Sequence, residues 1–347
     1  MKALTILIPV YNTEKYIKRC LDSVLLNDIL DDIEVLAVSD GSKDKSVDII
    51  KEYEKRYPKT ICLIEKENGG HGSTINVGIQ KANGKYFRVL DSDDWLNTLD
   101  LVKFVKRLKN EEVDLVVDNY QQEFTYDGKS EKIVQDKLID NKIYYFDDFD
   151  INKINRSYFA MANSTYKTSI LRESGLKLYE KTFYVDMQYN IIPILKVKNF
   201  KYYNLDLYRY FIGRKDQSMN LQNFVKNRND HEKVMKFLIS TCIKNRDKIS
   251  DNKYRYIENI TKLMLNTHYS IYCMYFNDKK RAYEEVKIFD KYLYDEDKTI
   301  YEIMNKISYI KFNRKTHFIF VRINNKIVFK TISLLKKFTK RKGEVCE

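Results

Sequence analysis

The sequence predicts an α/β fold, with a mostly parallel sheet flanked by helices and a helical region after it. Between Leu4 and Leu90, continuous apolar runs of strand length alternate with segments whose apolar residues recur at helical spacing. This alternation is typical of right-handed βαβ units on a parallel sheet. From Leu221 onward the apolar residues recur at helical spacing, which predicts a C-terminal region made of helices.

Each predicted element has its own sequence pattern. Continuous apolar runs predict strands covered on both faces, and these runs are Leu4–Val10, Ile33–Val38, Ile61–Ile64, Tyr86–Leu90 and Asp114–Val117. Helical spacing predicts helices after Thr13, at Asp44–Tyr57, from Ser73, at Leu99–Lys109 and at Thr168–Ser174. Thr13 is a candidate N-cap for the first helix. The same spacing predicts later helices at Phe224–Leu238, Tyr256–Phe276 and Ala282–Tyr294.

Composition limits the class of protein. With 347 residues, of which 44% are hydrophobic and 14% aromatic, the chain can form a packed core and is not a disordered protein. Its five cysteines are far apart and contain no C-x-x-C pair, which fits a reducing compartment and no zinc spacing. The segment Met1–Val10 lacks the cleavage site of a signal peptide, and no apolar run is long enough to span a bilayer. We therefore expect a cytoplasmic protein.

Three carboxylates lie within four residues at the end of a predicted strand. Asp91-Ser92-Asp93-Asp94 follows the apolar run that ends at Leu90, and Trp95 closes the cluster. Carboxylates this close repel one another unless a cation lies among them, and Mg²⁺ or Mn²⁺ binds oxygen ligands together with substrate phosphates. The stretch indicates metal and phosphate chemistry, although a turn or a helix N-terminus would explain a D-x-D pattern equally well.

Polar residues follow four of the predicted strands. Asn12, Asp40, Asn68 and Asp91 lie at these positions, and parallel sheets bind their ligands beyond the carboxyl ends of the strands. The first turn has no glycine, which excludes the G-x-G-x-x-G motif of dinucleotide-binding proteins. The glycine-rich stretch Gly69–Thr74 lacks the lysine of a P-loop. We therefore expect a phosphate-containing ligand of another class.

Four motifs in this order and spacing resemble the family 2 glycosyltransferases, which have the Rossmann-like GT-A fold. The motifs are Pro9–Asn12, Ser39–Asp44, Asn68–Gly72 with Asn76–Gly78, and Asp91–Asp94. The resemblance is close over roughly the first hundred residues and looser over the next hundred. The chain departs from the commonest pattern in two places, because Ser39-Asp40 replaces paired acids and His71 lies within the glycine loop. We interpret His71 as a loop residue without a catalytic role.

The resemblance implies a binding site for a UDP-sugar. The residues implied to bind it are Pro9, Tyr11, Asn12, Asp40, Asn68, Gly72, Asn76, Arg88, Asp91, Ser92 and Arg209. Among them, Asp40 would accept a hydrogen bond from the base, and Arg209 would pair with the diphosphate. Asp93, with Asp91, would bind a Mn²⁺ or Mg²⁺ ion that bridges the diphosphate. From the residues alone, Asp40 could instead cap a helix, and Gly69 and Gly70 could be simple turn formers.

The resemblance also implies a catalytic base, Asp186, where the family usually has a Glu-Asp pair at the start of a helix. Inverting sugar transfer needs a carboxylate that takes the proton from the acceptor hydroxyl, while the metal stabilises charge on the departing diphosphate. The alternative for Asp186 is a charge favoured by the helix dipole. Tyr208–Tyr210 and Asp216–Ser218 would belong to a segment that closes over the donor.

Most of the positive charge lies near the C-terminus. The net charge is +13, and residues 303–347 contain twelve Lys or Arg residues and two acids, so +10 belongs to this tail. Lys326–Lys342 predicts a basic amphipathic helix, which favours binding to an anionic membrane surface. The alternatives are a solvated terminal helix and a nucleic-acid patch, of which nucleic acid is the less favoured partner.

The sequence as a whole predicts an inverting glycosyltransferase, with a catalytic domain at 1–218 and a helical region at 219–347. It would transfer a hexose or N-acetylhexosamine from a UDP-sugar to a glycan or lipid-linked acceptor in cell-surface polysaccharide synthesis, in the cytoplasm or peripherally at the inner membrane face. One alternative is a nucleotidyltransferase acting on a sugar phosphate, whose usual basic glycine-rich loop after the first strand is absent here. The other is a non-catalytic, membrane-associated adaptor.

Overall fold

The computed structural model describes residues 1–213 and 221–322. The strands are β1 (Leu4–Val10), β2 (Ile33–Asp40), β3 (Ile61–Lys66), β4 (Tyr86–Val89), β5 (Trp95–Leu96), β6 (Leu115–Phe124), β7 (Ser130–Ile133), β8 (Ile143–Tyr145), β9 (Ser164–Lys167) and β10 (Asn199–Ile212). The helices are α1 (Ile17–Val24), α2 (Ser46–Arg56), α3 (His71–Lys81), α4 (Thr98–Leu108), α5 (Thr168–Glu173), α6 (Asp186–Ile191), α7 (Leu221–Lys226), α8 (Arg228–Asn245), α9 (Asp251–Ser270), α10 (Lys279–Glu296), α11 (Lys298–Met304), α12 (Ser308–Lys315) and α13 (Ile319–Arg322).

The strands form one mixed sheet with the main order β3-β2-β1-β4-β9-β6-β10-β5. The pairs β1–β2, β1–β4, β2–β3 and β6–β10 are parallel, while β9 lies antiparallel between β4 and β6. All seven residues of β1 are buried, as expected for a strand covered on both faces. The predicted α/β fold with a mostly parallel sheet is therefore confirmed.

Two of the predicted helices begin later in the chain than the sequence predicted. Asp44 accepts a hydrogen bond from the amide of Ser46 at 3.0 Å, and α2 begins at Ser46 rather than at Asp44. The predicted N-cap role of Thr13 is wrong, because α1 begins at Ile17 and the buried Thr13 hydroxyl has no hydrogen-bond partner in the described part of the chain. The Thr13 amide instead donates to Ser46 Oγ at 2.9 Å, which joins the loops after β1 and β2.

A fully buried ion pair crosses the middle of the sheet. Arg88 Nη1 on β4 lies 2.5 Å from Asp118 Oδ2 on β6 and 2.9 Å from the Thr165 hydroxyl on β9, and both charged side chains have no exposed surface. Arg88 was predicted to bind the donor, but its guanidinium is enclosed by protein groups and cannot reach a ligand at the surface. A buried charge needs such a partner, because removing one side of a buried pair leaves an uncompensated charge.

The described residues separate into two compact units. One contains residues 1–213 and 245–260, and the other contains residues 221–244 and 261–322. The predicted helices of the C-terminal region are present, although the segment predicted as Phe224–Leu238 forms two helices, α7 and α8. The predicted domain boundary at 218 and the predicted amphipathic helix Lys326–Lys342 both lie outside the described residues. No helix of the described ranges is long and apolar enough to cross a membrane.

Two buried histidines face each other in the second unit. The rings of His231 on α8 and His268 on α9 stack with centroids 5.3 Å apart, and their Nδ1 atoms are 3.2 Å apart. One ring must donate this hydrogen bond and the other accept it, which requires at least one neutral imidazole. Burial lowers the pKa of His231 to about 4. Burial also lowers the pKa of His268, with His231 and Lys236 adding to the effect.

We expect this pair to make the second unit sensitive to acid. Because the folded-state pKa of each histidine is depressed, the unfolded chain binds protons first, and stability is lost as the pH falls from about 6.5 toward 4. His231 alone accounts for a loss on the order of 3 kcal/mol over this range. Thermal unfolding at pH 7.5 and pH 5 should show a smaller acid-induced loss in H231Q/H268Q than in the unaltered protein, with the exposed His317→Asn as control. An unchanged loss in the double variant would show that these two histidines do not cause the acid sensitivity.

Candidate active site

The first two loops of the predicted site are joined at the carboxyl edge of the sheet. Val10 at the end of β1 pairs with Ser39 of β2, so Asn12 and the loop after β2 are neighbours. Asn12 Oδ1 accepts a hydrogen bond from the Lys43 amide at 2.8 Å, and the Asn12 amide donates to Ser42 Oγ at 3.2 Å. Pro9 is buried within β1, whereas Tyr11 is 51% exposed. Of the predicted ligands in this segment, Tyr11 presents its ring to solvent.

Asp40 organises the glycine loop. Its carboxylate accepts hydrogen bonds from the amides of Gly69 and Gly70 at 2.8 and 2.7 Å and lies 2.7 Å from the ammonium of Lys66. The side chain of Asn68 donates to the Asp40 carbonyl at 3.0 Å. Asp40 is 3% exposed, so these groups replace the water that a buried carboxylate would lose. The predicted contact of Asp40 with the nucleotide base stays a prediction. Its hydrogen bonds to the glycine loop are present in the structure.

The glycine loop and α3 hold the segment that leads to Asp186. The Lys181 amide donates to the Gly69 carbonyl at 2.6 Å, and the side-chain amide of Asn76 exchanges two hydrogen bonds of 2.9 Å with the backbone of Leu178. A Cβ atom at Gly72 would lie 2.3 Å from the Tyr179 carbonyl oxygen, so a larger residue cannot fit. Gly72 and Asn76, both predicted to contact the nucleotide, therefore have protein partners in this structure.

Asp91, His71 and Asp186 form an electrostatic cluster at the same edge. His71 is the first residue of α3, and its Nε2 lies 2.9 Å from Asp91 Oδ1. Asp186 is the first residue of α6, as the sequence predicted. The side chains of His71 and Asp91 are 36% and 30% exposed, so both remain accessible to a ligand.

The charges in this cluster shift each other's protonation. Burial lowers the pKa of His71, but the charge of Asp91 and the hydrogen bond to it outweigh burial, with further contributions from Asp186 and Asp93, so the pKa is raised overall. Burial raises the pKa of Asp186; His71 lowers it in part, and Asp91 raises it further. His71 thus belongs to the site, and the interpretation of it as a mere loop residue missed this contact. Its position inside the glycine motif was the available signal.

Asp94 differs from its acidic neighbours because it is completely buried. Its carboxylate accepts hydrogen bonds from the Tyr208 hydroxyl at 2.5 Å and from the Phe211 amide at 2.8 Å. The same hydroxyl accepts a hydrogen bond from the Asp91 amide at 3.2 Å. Burial and the charges of Asp93 and Asp91 raise the pKa of Asp94, and these hydrogen bonds lower it in part. Asp94 therefore anchors the segment Asp91–Asp94, the aspartate loop, to β10. Ser92 in the same loop is also buried.

Alternation along β10 separates Tyr208 and Tyr210 from Arg209. Burial raises the pKa of Tyr210, and the charges of Asp94, Asp91, Asp186 and Asp93 all add to the shift. Arg209 Nη1 instead lies 2.9 Å from Asp206 Oδ1, and Arg209 Nε lies 3.8 Å from Glu123 Oε1. The predicted pairing of Arg209 with the diphosphate stays a prediction. The predicted closing residues Asp216–Ser218 lie outside the described ranges.

Asp91 and Asp93 are the predicted metal ligands. Within residues 1–213 and 221–322, no three His, Cys, Asp or Glu side chains are grouped so that they could hold a metal ion. Mg²⁺ is nevertheless commonly bound by one or two carboxylates plus substrate phosphates and water. The oxygen donors of Asp91 and Asp93 fit such an ion when a diphosphate supplies the remaining ligands.

The sequence matches a family model and several curated proteins. The model described as Glycosyl transferase family 2 matches residues 5–175. EpsH of Bacillus subtilis is 43% identical over 128 residues, which are 37% of this chain and 36% of EpsH. The poly(ribitol-phosphate) beta-glucosyltransferase of Bacillus spizizenii is 36% identical over 117 residues, which are 33% of this chain and 18% of that protein. The chain thus spans about a third or less of the length of these relatives.

The fold matches solved structures over most of the chain. The crystal structure of S. aureus TarS 1–349 in complex with UDP-GlcNAc has a TM-score of 0.61 and 15% sequence identity, and it covers 86% of this chain and 83% of that one. The crystal structure of S. aureus TarS 1–349 gives a TM-score of 0.63 with 16% identity and covers 86% of this chain and 82% of that one. At this identity the likeness concerns the fold. Together with the family match and the site at the carboxyl edge of the sheet, it shows that residues 5–175 form a glycosyltransferase domain of family 2 on the GT-A fold.

Proposed function

We propose that this chain is an inverting glycosyltransferase that uses a UDP-sugar and extends a glycan or lipid-linked acceptor of a cell-surface polysaccharide. The observation that carries the proposal is the contact between His71 and Asp91 beside the glycine loop, together with the hydrogen bonds that tie the segment before Asp186 to that loop and to α3. TarS structures with UDP and UDP-GlcNAc support a uridine donor. The names of relatives in teichoic acid and poly(ribitol-phosphate) synthesis support a surface polymer as acceptor. We place the enzyme in the cytoplasm, peripherally at the inner membrane face through residues 326–342.

Asp186 is proposed as the catalytic base. The acceptor hydroxyl oxygen forms a bond to the anomeric carbon while the bond from that carbon to the diphosphate breaks, which inverts the configuration. Asp186 takes the hydroxyl proton, and the diphosphate leaves as UDP. The raised pKa of Asp186 makes it a better proton acceptor than an exposed aspartate once it is ionised. A Mn²⁺ or Mg²⁺ ion held by Asp93 and Asp91 would supply positive charge to the leaving diphosphate.

The first prediction concerns the donor. UDP with Mn²⁺ should raise the unfolding temperature by a few degrees, since ligand at a hundredfold excess over Kd stabilises by about 2.7 kcal/mol. Asp93→Ala should lose this shift, whereas Asp48→Ala, an exposed aspartate on α2, should keep it. GDP and TDP serve as competing nucleotides. A shift that Asp93→Ala retains would reject Asp93 as a ligand, and a lack of response to every nucleotide would reject the UDP-sugar donor.

The second prediction concerns the base. Asp186→Asn should reduce UDP release from UDP-GlcNAc or UDP-glucose by about a hundredfold or more, because the amide cannot accept the proton. UDP binding should change little, since Asn keeps the size of Asp. Glu180→Gln, an exposed acid in the preceding segment, is the matched control. Full activity in Asp186→Asn would assign the base elsewhere.

The third prediction concerns the anchor between Asp94 and Tyr208. Tyr208→Phe leaves the buried carboxylate without its hydroxyl donor and should cost about 1–3 kcal/mol of stability. It should also lower UDP release, because the Asp91 amide loses the same partner. Tyr203→Phe on the same strand removes a 2.6 Å hydrogen bond to Glu111 and should lower stability alone. Equal losses of activity in both variants, measured at a temperature where both are folded, would show that the anchor has no special role.

A further inference from the structure

A shallow, open cleft of about 550 Å³ lies between α1 and the segment that follows the aspartate loop. The lining residues are Lys15, Lys18, Arg19, Asp22, Ser23, Trp95, Leu96 and Thr98. None of them was predicted to bind the donor. All belong to the compact unit that carries the candidate active site.

The cleft is positively charged. Lys15, Lys18 and Arg19 contribute three cations against one acid, Asp22, whose carboxylate accepts a 2.5 Å hydrogen bond from Tyr53. Both lysines are exposed, and neither has an ion-pair partner among residues 1–213 and 221–322. Lys18 and Arg19 lie in the first turn of α1 and Lys15 lies in the turn before it, and all three line the cleft. Such a row suits an extended chain of negative charges better than a single ion.

The wall of the cleft is continuous with the donor loop. Arg19 Nη2 donates to the Asp93 carbonyl at 2.8 Å, and its guanidinium lies 3.7 Å from the centre of the Trp95 ring. Trp95 is half-buried and also packs edge-on against Phe211, with ring centroids 6.0 Å apart. Two flat groups, the indole and the Arg19 guanidinium, therefore line the same cleft as Lys15 and Lys18, and Trp95 is two residues from the predicted metal ligand Asp93. A ligand in this cleft touches the part of the chain that binds the donor.

We propose that this cleft binds the phosphodiester backbone of a polyanionic acceptor glycan. Lys15 and Lys18 neutralise neighbouring phosphates, and the part of Trp95 that stays exposed contacts the intervening polyol or sugar units. This inference rests on the proposed glycosyl transfer, because only an acceptor must lie next to the donor during the reaction. It adds the acceptor class, a phosphate-linked glycan, to the proposed function.

Trp95 provides a direct test, since it is the chain's single tryptophan. Its fluorescence reports the cleft even if a polyanion also contacts the basic C-terminal tail. A synthetic glycerol-phosphate oligomer should change the emission in a saturable way, and neutral dextran should not. Added salt should weaken the effect, because these charges are near solvent. No change with the oligomer at any concentration would overturn the proposal.

Charge reversal gives the matched comparison. Lys15→Glu with Lys18→Glu should raise the apparent Kd of the oligomer at least tenfold and raise its KM in UDP release. Lys55→Glu with Lys59→Glu, exposed lysines in the last turn of α2 and in the turn after it, should leave both within twofold. A Lys15/Lys18 variant that binds the oligomer like the unaltered protein would reject the cleft as its site.

Two more measurements distinguish an acceptor site from a general polyanion patch. Single-stranded DNA of equal charge should bind at least tenfold more weakly than the oligomer; equal binding would show a general polyanion patch and overturn the acceptor assignment. The UDP-induced thermal shift should persist in the Lys15/Lys18 variant. If UDP causes no shift even in the unaltered protein, the proposed transfer fails, and a normal fluorescence response would then show that the cleft binds polyanions without being an acceptor site.

Discussion

The buried carboxylate of Asp94 connects two parts of the candidate site, the loop after β4 and the end of β10. It accepts hydrogen bonds from Tyr208 and Phe211, so the loop after β4 is attached to the far end of β10. Burying a carboxylate is unfavourable unless hydrogen bonds compensate for the lost water, and removing one of these donors therefore affects the whole loop. The position of Asp91, the approach of Tyr210 and the packing of Trp95 on Phe211 all depend on this attachment.

Carboxylates that look alike in the sequence perform different tasks in the structure. Asp40 and Asp94 are buried and bind groups of the protein itself. Asp91 keeps 30% of its side-chain surface exposed and faces His71. The difference follows from burial, because a buried carboxylate must use its lone pairs on nearby donors, while an exposed one retains capacity for a ligand. The same reasoning separates Arg88, enclosed with Asp118, from Arg19 in the cleft.

The glycine loop has a structural task besides any contact with a nucleotide. Gly69 and Gly70 donate to Asp40, while Gly69 and Asn76 bind the segment that leads to Asp186. The donor side and the proposed base are thus parts of one hydrogen-bonded assembly. A substitution in the loop is expected to alter both, since a side chain at Gly72 would collide with the Tyr179 carbonyl.

The sequence alone determined the alternation of strands and helices over residues 4–117 and the mostly parallel sheet, and it predicted the edge at which the site lies. These features follow from local periodicity and from the rule that parallel strands present their carboxyl ends together. Only the tertiary structure decided that His71 contacts Asp91, that Arg88 is buried and that Arg209 pairs with Asp206. The first two outcomes depend on the partners Asp91 and Asp118, which are 20 to 30 residues away. Local patterns do not encode such long-range pairings, because they arise only when the strands have assembled.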